Sequence, residues 1–309
     1  MTYKDLWKPE SYNGQTVTGT NTLDNMYQFG MLPDEAGTRI INMDETVQMN
    51  ESLNAAVRST DLSVGNSPLD RVTTSYVLVN GLPLYWMLGN STATGLGHTI
   101  SVLDTGRKPR ISVYAEEDYS KSKGFGLVAN SLDIEMGAKN ALVMCRQSFK
   151  GMSHGACTDT PNGSFIDSVQ TPYAQHYGYT WGGVDYPIEG AAIKFAQALT
   201  PLMGESGYYQ EVSENANLTS IWTAKISPGA SVTGLYTDWK AGTTRALAWT
   251  FNKPDDPTKT ITINEAYAYV VNINKERVHG KPTKYEVTFV GEDPTATVYD
   301  GVTGTVYGD

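Results

Sequence analysis

The chain has 309 residues and carries 33 acidic against 23 basic side chains, which gives a formal net charge of −10. That length can bury a substantial core and predicts about two domains of roughly 150 residues each. The acidic balance argues against a dedicated nucleic-acid binder, because such proteins use Lys and Arg to displace counterions from phosphates. It is compatible with a wall that DNA merely passes.

The first residues, Met1 to Trp7, contain no basic segment followed by an apolar run, so the sequence predicts no secretory signal. No stretch approaches the ~18 apolar residues that a membrane span needs. We therefore expect a soluble product that is made in a cytoplasm and has no membrane partner. The two cysteines, Cys145 and Cys157, lack the spacing of metal ligands, and the apolar run before Cys145 predicts a buried thiol.

Residues 1–70 are predicted to form an extended N-terminal arm. They are mostly polar and irregular, with scattered Gly, Asn and Asp. Such a segment cannot bury enough apolar surface to fold by itself. We therefore expect the arm to be held by a neighbouring subunit.

Residues 71–215 are predicted to form a first β domain. Its strands are expected at residues 72–79, 98–103, 110–115, 132–136 and 141–149. Between the first two strands lies a short apolar segment, bracketed by glycines, that suits a helical turn packed on a sheet.

Two later segments of this domain are less regular. Residues 151–186 are rich in Gly, Ser, Thr, His and Tyr and predict a long loop, a feature that is usually functional in a compact domain. Residues 191–202 fit a strand, because of Ile193 and Phe195, or a helix, because of their alanines and leucines. Both alternatives stay open.

Residues 216–309 are predicted to form a second β-sandwich block. From residue 260 to 274 the odd positions are large and apolar and the even ones mostly polar, with Glu265 and Val270 as exceptions. A period of two gives a strand one buried side and one solvated or partner-facing side. Residues 246–251 and 284–289 alternate in the same way.

These patterns predict a mainly β protein, with an antiparallel β-sandwich or barrel-forming fold and one or two short helices. Residues 132–144 also resemble residues 261–273 in pattern. Two interpretations stay open: the chain contains two tandem domains related by duplication, or two short strands are alike by chance.

The sequence shows no catalytic constellation. Its four histidines limit acid–base chemistry at neutral pH. Ser153, His154 and Asp159 lie within seven residues, whereas the members of a catalytic triad are brought together by the fold. The pair Asp255 and Asp256, flanked by prolines, predicts a solvated turn. We therefore expect no enzyme activity, no cofactor and no metal site.

Five short motifs lie in the N-terminal two-thirds of the chain: residues 27–33 (YQFGMLP), 81–89 (GLPLYWMLG), 97–100 (GHTI), 171–173 (TPY) and 181–189 (WGGVDYPIE). In this order they resemble the tail tube proteins of tailed bacterial and archaeal viruses. The resemblance implies a structural virion protein, the major tail tube subunit, whose β-sandwich joins those of other subunits in a ring.

The same resemblance implies the partners. Single-unit chains would form hexameric rings, and duplicated chains would form trimeric rings with pseudo-sixfold symmetry. The rings would stack, contact other tail proteins and let DNA pass through the lumen without specific binding. Assembly would take place in the host cytoplasm, and the final location would be the virion tail.

Aromatic side chains are the candidate anchors of such contacts, because they are enriched at the centres of interfaces. The candidates are Tyr173, Tyr177, Tyr179 and Trp181 in the predicted loop and Tyr27 and Phe29 in the arm. The lumen is expected to be negative or neutral, since fixed Lys and Arg would bind phosphates.

The alternative function is a carbohydrate-binding or adhesin-type β-sandwich. Its candidate aromatic residues are Trp181, Tyr208, Tyr209, Trp222 and Trp239. A glycosidase would need a carboxylate pair that the sequence alone does not place.

Overall fold

The structure is a computed structural model that describes residues 4–10, 26–29, 41–45, 69–94, 97–103, 108–117, 120–137, 141–150, 153–156, 163–164, 171–197, 199–204, 207–212, 218–277, 279–280, 282–302 and 307. Within these ranges the chain is mainly β, with 21 strands and two short helices. The predicted fold class is confirmed at this level.

The strands are numbered in chain order. The first ten are β1 (Lys4–Glu10), β2 (Met26–Gln28), β3 (Ile41–Glu45), β4 (Leu69–Val77), β5 (Gly89–Thr94), β6 (Gly97–Val102), β7 (Arg110–Glu117), β8 (Ser120–Met136), β9 (Met144–Lys150) and β10 (Ser153–Ala156). The others are β11 (Gly163–Ser164), β12 (Gln175–Trp181), β13 (Val184–Asp185), β14 (Ile188–Ala196), β15 (Leu199–Gly204), β16 (Gly207–Val212), β17 (Thr219–Ile226), β18 (Thr244–Asn252), β19 (Thr260–Glu276), β20 (Lys284–Gly291) and β21 (Pro294–Val298). The helices are α1 (Leu82–Leu88) and α2 (Thr233–Ala241).

Two strands of 17 residues each, β8 and β19, tie the sheet together. The first half of β8 pairs with β7 and β10, and its second half pairs with β9 and β14. The first half of β19 pairs with β18 and β21, and its second half pairs with β20. Nineteen strands therefore join one sheet, antiparallel except for the pair β2 and β11, while β15 and β16 form a separate hairpin.

The sheet doubles back around one core. β12 and β20 are not hydrogen-bonded to each other, yet the rings of Trp181 on β12 and Phe289 on β20 lie 5.0 Å apart. Five of the six tryptophans are buried in the core, namely Trp7, Trp86, Trp181, Trp222 and Trp249. Within the described ranges the sheet is not closed, since β3, β5 and β13 each have a single strand partner.

Helix α1 occupies the segment that the sequence predicts as a helical turn. It follows Gly81, carries Pro83 in its first turn and ends at Gly89, whose φ of 101° is left-handed. Six of its seven side chains are buried. At its C-terminal end Lys108 Nζ donates a 2.6 Å hydrogen bond to the carbonyl oxygen of Met87. Burial lowers the pKa of Lys108 to about 8.

The predicted boundary between residues 215 and 216 does not divide the sheet. β14 pairs with β17, β12 with β18, and β6 with β21, so both predicted blocks share one sheet and one core. The likeness between residues 132–144 and 261–273 does not extend to structure either. The first segment leaves β8 after Met136 and enters β9 at Met144, whereas the second lies entirely within β19.

The prediction of a long loop at residues 151–186 is wrong. This segment contains the four strands β10 to β13, and a Gly182–Gly183 turn with φ values of 57° and 80° joins the last two. The segment at residues 191–202, left open between strand and helix, forms β14 and the start of β15. Ile193 and Phe195 are buried there.

The described parts of the predicted arm belong to the sheet of the same chain. β1 pairs with β7 along its length, and the rings of Trp7 and Trp86 lie 4.7 Å apart in the core. Met26 and Phe29 are also buried. The expectation that a neighbouring subunit holds this segment is therefore wrong for these residues, because the sheet itself supplies the missing apolar partner. The rest of residues 1–70 lies outside the described residues.

Candidate interaction face

Strand β19 does not keep a single inward face, contrary to the alternation in its sequence. Its pairing register shifts opposite Arg245 and Leu247, and again between Val270 and Asn272. Each shift adds one residue to a strand and so reverses which side chains face the core. The prediction that all odd positions share one face is therefore wrong for Tyr267, Tyr269 and Val271, whereas Ile273, after the second shift, is buried as predicted.

The reversal turns three large side chains of β19 outward. Tyr267 is 70% exposed, Tyr269 40% and Val271 44%. In the register of the sheet, Tyr269 is opposite Val290 on β20, which is opposite Ile221 on β17. Ile221 is 42% exposed. An exposed apolar row thus crosses three neighbouring strands, and we call this side of β17, β19 and β20 the outer face.

Helix α2 carries the one exposed tryptophan and lies beside β19. Trp239 is 39% exposed, and its Nε1–H donates a 3.1 Å hydrogen bond to the carbonyl oxygen of Val271. The helix was not predicted from the sequence. Its first turn contains Thr233 and Gly234, and both residue types are weak helix formers, so the local signal was poor.

Asp238 fixes α2 to the body of the protein. Its carboxylate accepts hydrogen bonds from Trp181 Nε1, at 2.8 Å, and from Arg245 Nε and Nη2, at 2.6 and 2.9 Å. The bonds from Arg245 hold the pKa of Asp238 below its usual value, although partial burial opposes them. The position of α2, and with it that of Trp239, thus depends on a carboxylate that is itself buried.

Glu265 lies buried directly beneath the outer face. Its Oε2 accepts a 2.6 Å hydrogen bond from Ser220 Oγ, and its Oε1 accepts a 2.8 Å bond from the backbone N–H of Asp293. Burial raises the pKa of Glu265, and these two hydrogen bonds oppose the rise only in part. A Cβ atom on Gly291 would lie 2.1 Å from Glu265 Cδ, so only glycine fits beside this carboxylate.

At the end where β17 and β19 finish, the outer face is lined by charged side chains. A groove of about 520 Å³ lies where β14 and β20 begin and β17 and β19 end. Its charged lining residues are Lys225, Lys275, Lys284, Glu189, Glu276 and Glu286. Lys284 Nζ lies 3.7 Å from Glu189 Oε2, and Lys275 Nζ lies 5.7 Å from the centre of the Tyr285 ring. A second, smaller groove continues from it and shares Lys225 and Glu286.

Four of the six candidate anchors predicted from the sequence are core residues of the chain itself. The buried residues are Phe29, Tyr173, Tyr179 and Trp181. Tyr179 and Trp181 alternate inward on β12, and the rings of Tyr173 and Phe251 lie 5.6 Å apart. Side chains enclosed in this way cannot anchor a neighbouring subunit. The side chains of Tyr27 and Tyr177 lie outside the described residues.

The aromatic residues considered for carbohydrate binding also include both buried and exposed side chains. Trp222 is fully buried, like Trp181, whereas Trp239 is exposed. The side chains of Tyr208 and Tyr209 lie outside the described residues. Sequence reasoning missed Tyr267 and Tyr269 as surface residues, because their alternation with small residues is equally typical of inward-facing positions.

The remaining cysteine, histidine and aspartate candidates lie in separate parts of the chain. Cys145 is a buried free thiol, as predicted, and burial raises its pKa. Asp255 and Asp256 form a turn between β18 and β19, as predicted. The backbone of residues 153–156 pairs with β8, whereas Cys157 and Asp159 lie outside the described residues. In the described ranges no group of three or more His, Cys, Asp or Glu side chains could hold a metal ion.

Comparison with known proteins gives no matching family model and no curated protein of similar sequence. In the part of the chain that the structure describes, no helix has the length and hydrophobicity needed to cross a membrane.

Proposed function

We propose that this protein is a structural subunit that assembles with copies of itself, and that the assembly is the tail tube of a tailed virus. The observation that carries self-assembly is the exposed apolar row of the outer face. The tail tube itself is proposed from the resemblance of the five sequence motifs.

The outer face supports self-assembly because of its composition and shape. Monomeric soluble proteins rarely expose contiguous apolar patches of large area. Here Ile221, Tyr267, Tyr269 and Val271 are exposed on one side of the sheet, and Trp239 is exposed on the adjoining helix. Tyrosine and tryptophan are also the residues most enriched in protein interfaces. A second protein surface that covers them would remove this apolar area from water.

The charge of the chain supports a conduit for DNA. A wall with net negative charge repels the phosphate backbone, so the duplex does not adhere to it. The formal charge of −10 agrees with such a wall. We therefore expect the lumen of the tube to be negative or neutral, with Lys and Arg at subunit contacts and on the outer wall.

Light scattering coupled to size-exclusion chromatography tests this proposal, followed by electron microscopy of the largest species. We expect rings or tubes, in the presence of tail initiator proteins if the purified chain alone stops at small oligomers. A protein that stays monomeric at high concentration, with and without those initiators, would contradict it.

The second candidate function is carbohydrate binding. Tyr267 and Tyr269 are exposed two residues apart on one strand and could form an aromatic platform for a sugar ring. Titration with a panel of soluble oligosaccharides, followed by tyrosine and tryptophan fluorescence, separates the two functions. Saturable quenching by one sugar class in a monomeric protein would favour this candidate over self-assembly.

A further inference from the structure

We propose that the charged groove at the end of the outer face receives a second copy of this chain and fixes the orientation of neighbouring copies. This inference rests on the proposed function, since it assumes self-assembly and assigns the contact that orients it. The apolar row would supply most of the affinity, while the groove would supply orientation.

The charge of the groove differs from that of the whole chain. Two copies that each carry a net charge of −10 repel each other over most approaches. The groove is an exception, because three lysines and three glutamates line it and their charges cancel. A second copy can therefore approach here without net repulsion, and it finds partners of both signs.

The charges of the groove follow the register of the sheet. Lys225 on β17 is directly opposite Glu286 on β20, which is opposite Asn274 on β19. Lys225 and Glu286 make no ion pair with each other or with any other described residue. Both groups keep their pairing capacity for an incoming surface. Ile226 and Tyr285 also line the groove and give it an apolar component.

A second copy fits this groove better than other classes of partner. Nucleic acid and anionic membranes are attracted by a surplus of Lys and Arg. The groove has no such surplus, and the rest of the chain is acidic. A protein surface that carries both signs can pair with the lysines and with the glutamates of the groove, and this chain has 23 basic and 33 acidic side chains.

The test compares two substitutions that change the net charge equally. Glu286→Lys replaces an acidic residue of the groove. Asp255→Lys replaces an exposed acidic residue in the turn that precedes β19, at the opposite end of that strand from the groove. Both reduce the net negative charge, so both weaken general repulsion. We expect Glu286→Lys to weaken self-association at least about tenfold, whereas Asp255→Lys changes it little. Sedimentation velocity measures association, and thermal unfolding confirms that both variants fold.

Cross-linking identifies the occupant of the groove. A photoreactive phenylalanine analogue replaces Tyr285, and isotope-labelled and unlabelled chains are mixed before irradiation. Cross-linked peptides that combine one labelled and one unlabelled chain support the proposal. If the wild-type protein assembles but cross-links only to itself within one chain or to another protein, the groove assignment is wrong and self-assembly stands. If the wild-type protein never assembles, both proposals fail.

Discussion

Glu265 and Gly291 determine the local geometry beneath the outer face. The carboxylate fills the space that a Cβ atom on Gly291 would need, and its hydrogen bonds connect β17, β19 and the turn after β20. Because the register of β19 shifts just after Glu265, this residue marks the point where Tyr267 and Tyr269 turn outward. A single buried acid thus separates the part of the strand whose odd positions face the core from the part where Tyr267 and Tyr269 face outward.

The first prediction concerns Gly291→Ala. The added methyl group overlaps the Glu265 side chain, so we expect a loss of about 1–3 kcal/mol in the free energy of unfolding. Chemical denaturation measures this loss. Gly137→Ala is the control, because a Cβ atom at Gly137 would have no atom within 4 Å. Gly183→Ala is unsuitable as a control, because the positive φ of Gly183 would itself make alanine unfavourable. Equal effects of Gly291→Ala and Gly137→Ala would contradict the tight fit.

The second prediction concerns pH. Because burial raises the pKa of Glu265 above its usual value near 4.5, the folded protein keeps this proton while the unfolded chain loses it. The stability contributed by the protonated group is therefore lost as pH rises from the unfolded pKa through the folded pKa. Glu265→Gln does not titrate. We expect the stability of the wild type relative to Glu265→Gln to fall as pH rises through that window, as measured by denaturation between pH 4 and 8. A constant difference, or one that grows with pH, would be inconsistent with this.

At the scale of elements, the first strand is part of the core and not a detachable arm. β1 pairs with β7, and Trp7 packs against Trp86 and Phe29. We expect Trp7→Ala to cost about 3–5 kcal/mol of stability. Trp239→Ala removes an equal side chain from an exposed position and is the matched control. Similar unfolding midpoints for the two variants would show that β1 is not integrated as described.

Helix α2 depends on one buried acid. Asp238→Ala leaves the Trp181 Nε1–H and the Arg245 guanidinium without their acceptor, which we expect to cost about 1–3 kcal/mol. Lys240→Ala on the same helix changes an exposed side chain and serves as the control. Urea denaturation measures both. The account of α2 is wrong if both variants unfold at the same urea concentration.

The sequence predicts most strands because alternation depends on neighbours along the chain. Helix α1 is predicted for a similar reason, since Gly81 and Gly89 mark its ends. The outward turn of Tyr267 could not be predicted, because the register shift in β19 depends on strands distant in sequence. Trp181 was assigned to an interface because its glycine-rich surroundings hid a tight turn between two strands.

At the scale of the whole molecule, the outer face combines an apolar row and a charge-balanced groove on one side of the sheet. These two parts respond differently to salt. Sodium chloride screens the charged contacts of the groove and also the repulsion between the acidic chains, whereas sulfate in addition strengthens apolar association. We expect ammonium sulfate to strengthen the assembly more than sodium chloride does at equal ionic strength, as measured by light scattering. Equal responses to the two salts would exclude the apolar row from the contact.

The most direct test of the central claim is the self-association of a variant with both outward tyrosines changed, Tyr267→Ser with Tyr269→Ser. Its control is Tyr299→Ser, which changes a tyrosine that is 37% exposed and lies just after β21, where its backbone N–H donates a hydrogen bond to Thr260 at the start of β19 and not beside Tyr267 or Tyr269. Sedimentation velocity over a range of concentrations gives the oligomeric state of each. We predict that the wild type and Tyr299→Ser assemble alike, while the double variant folds normally and stays monomeric. Assembly of the double variant to the same extent as the wild type would contradict the claim that the outer face joins the subunits.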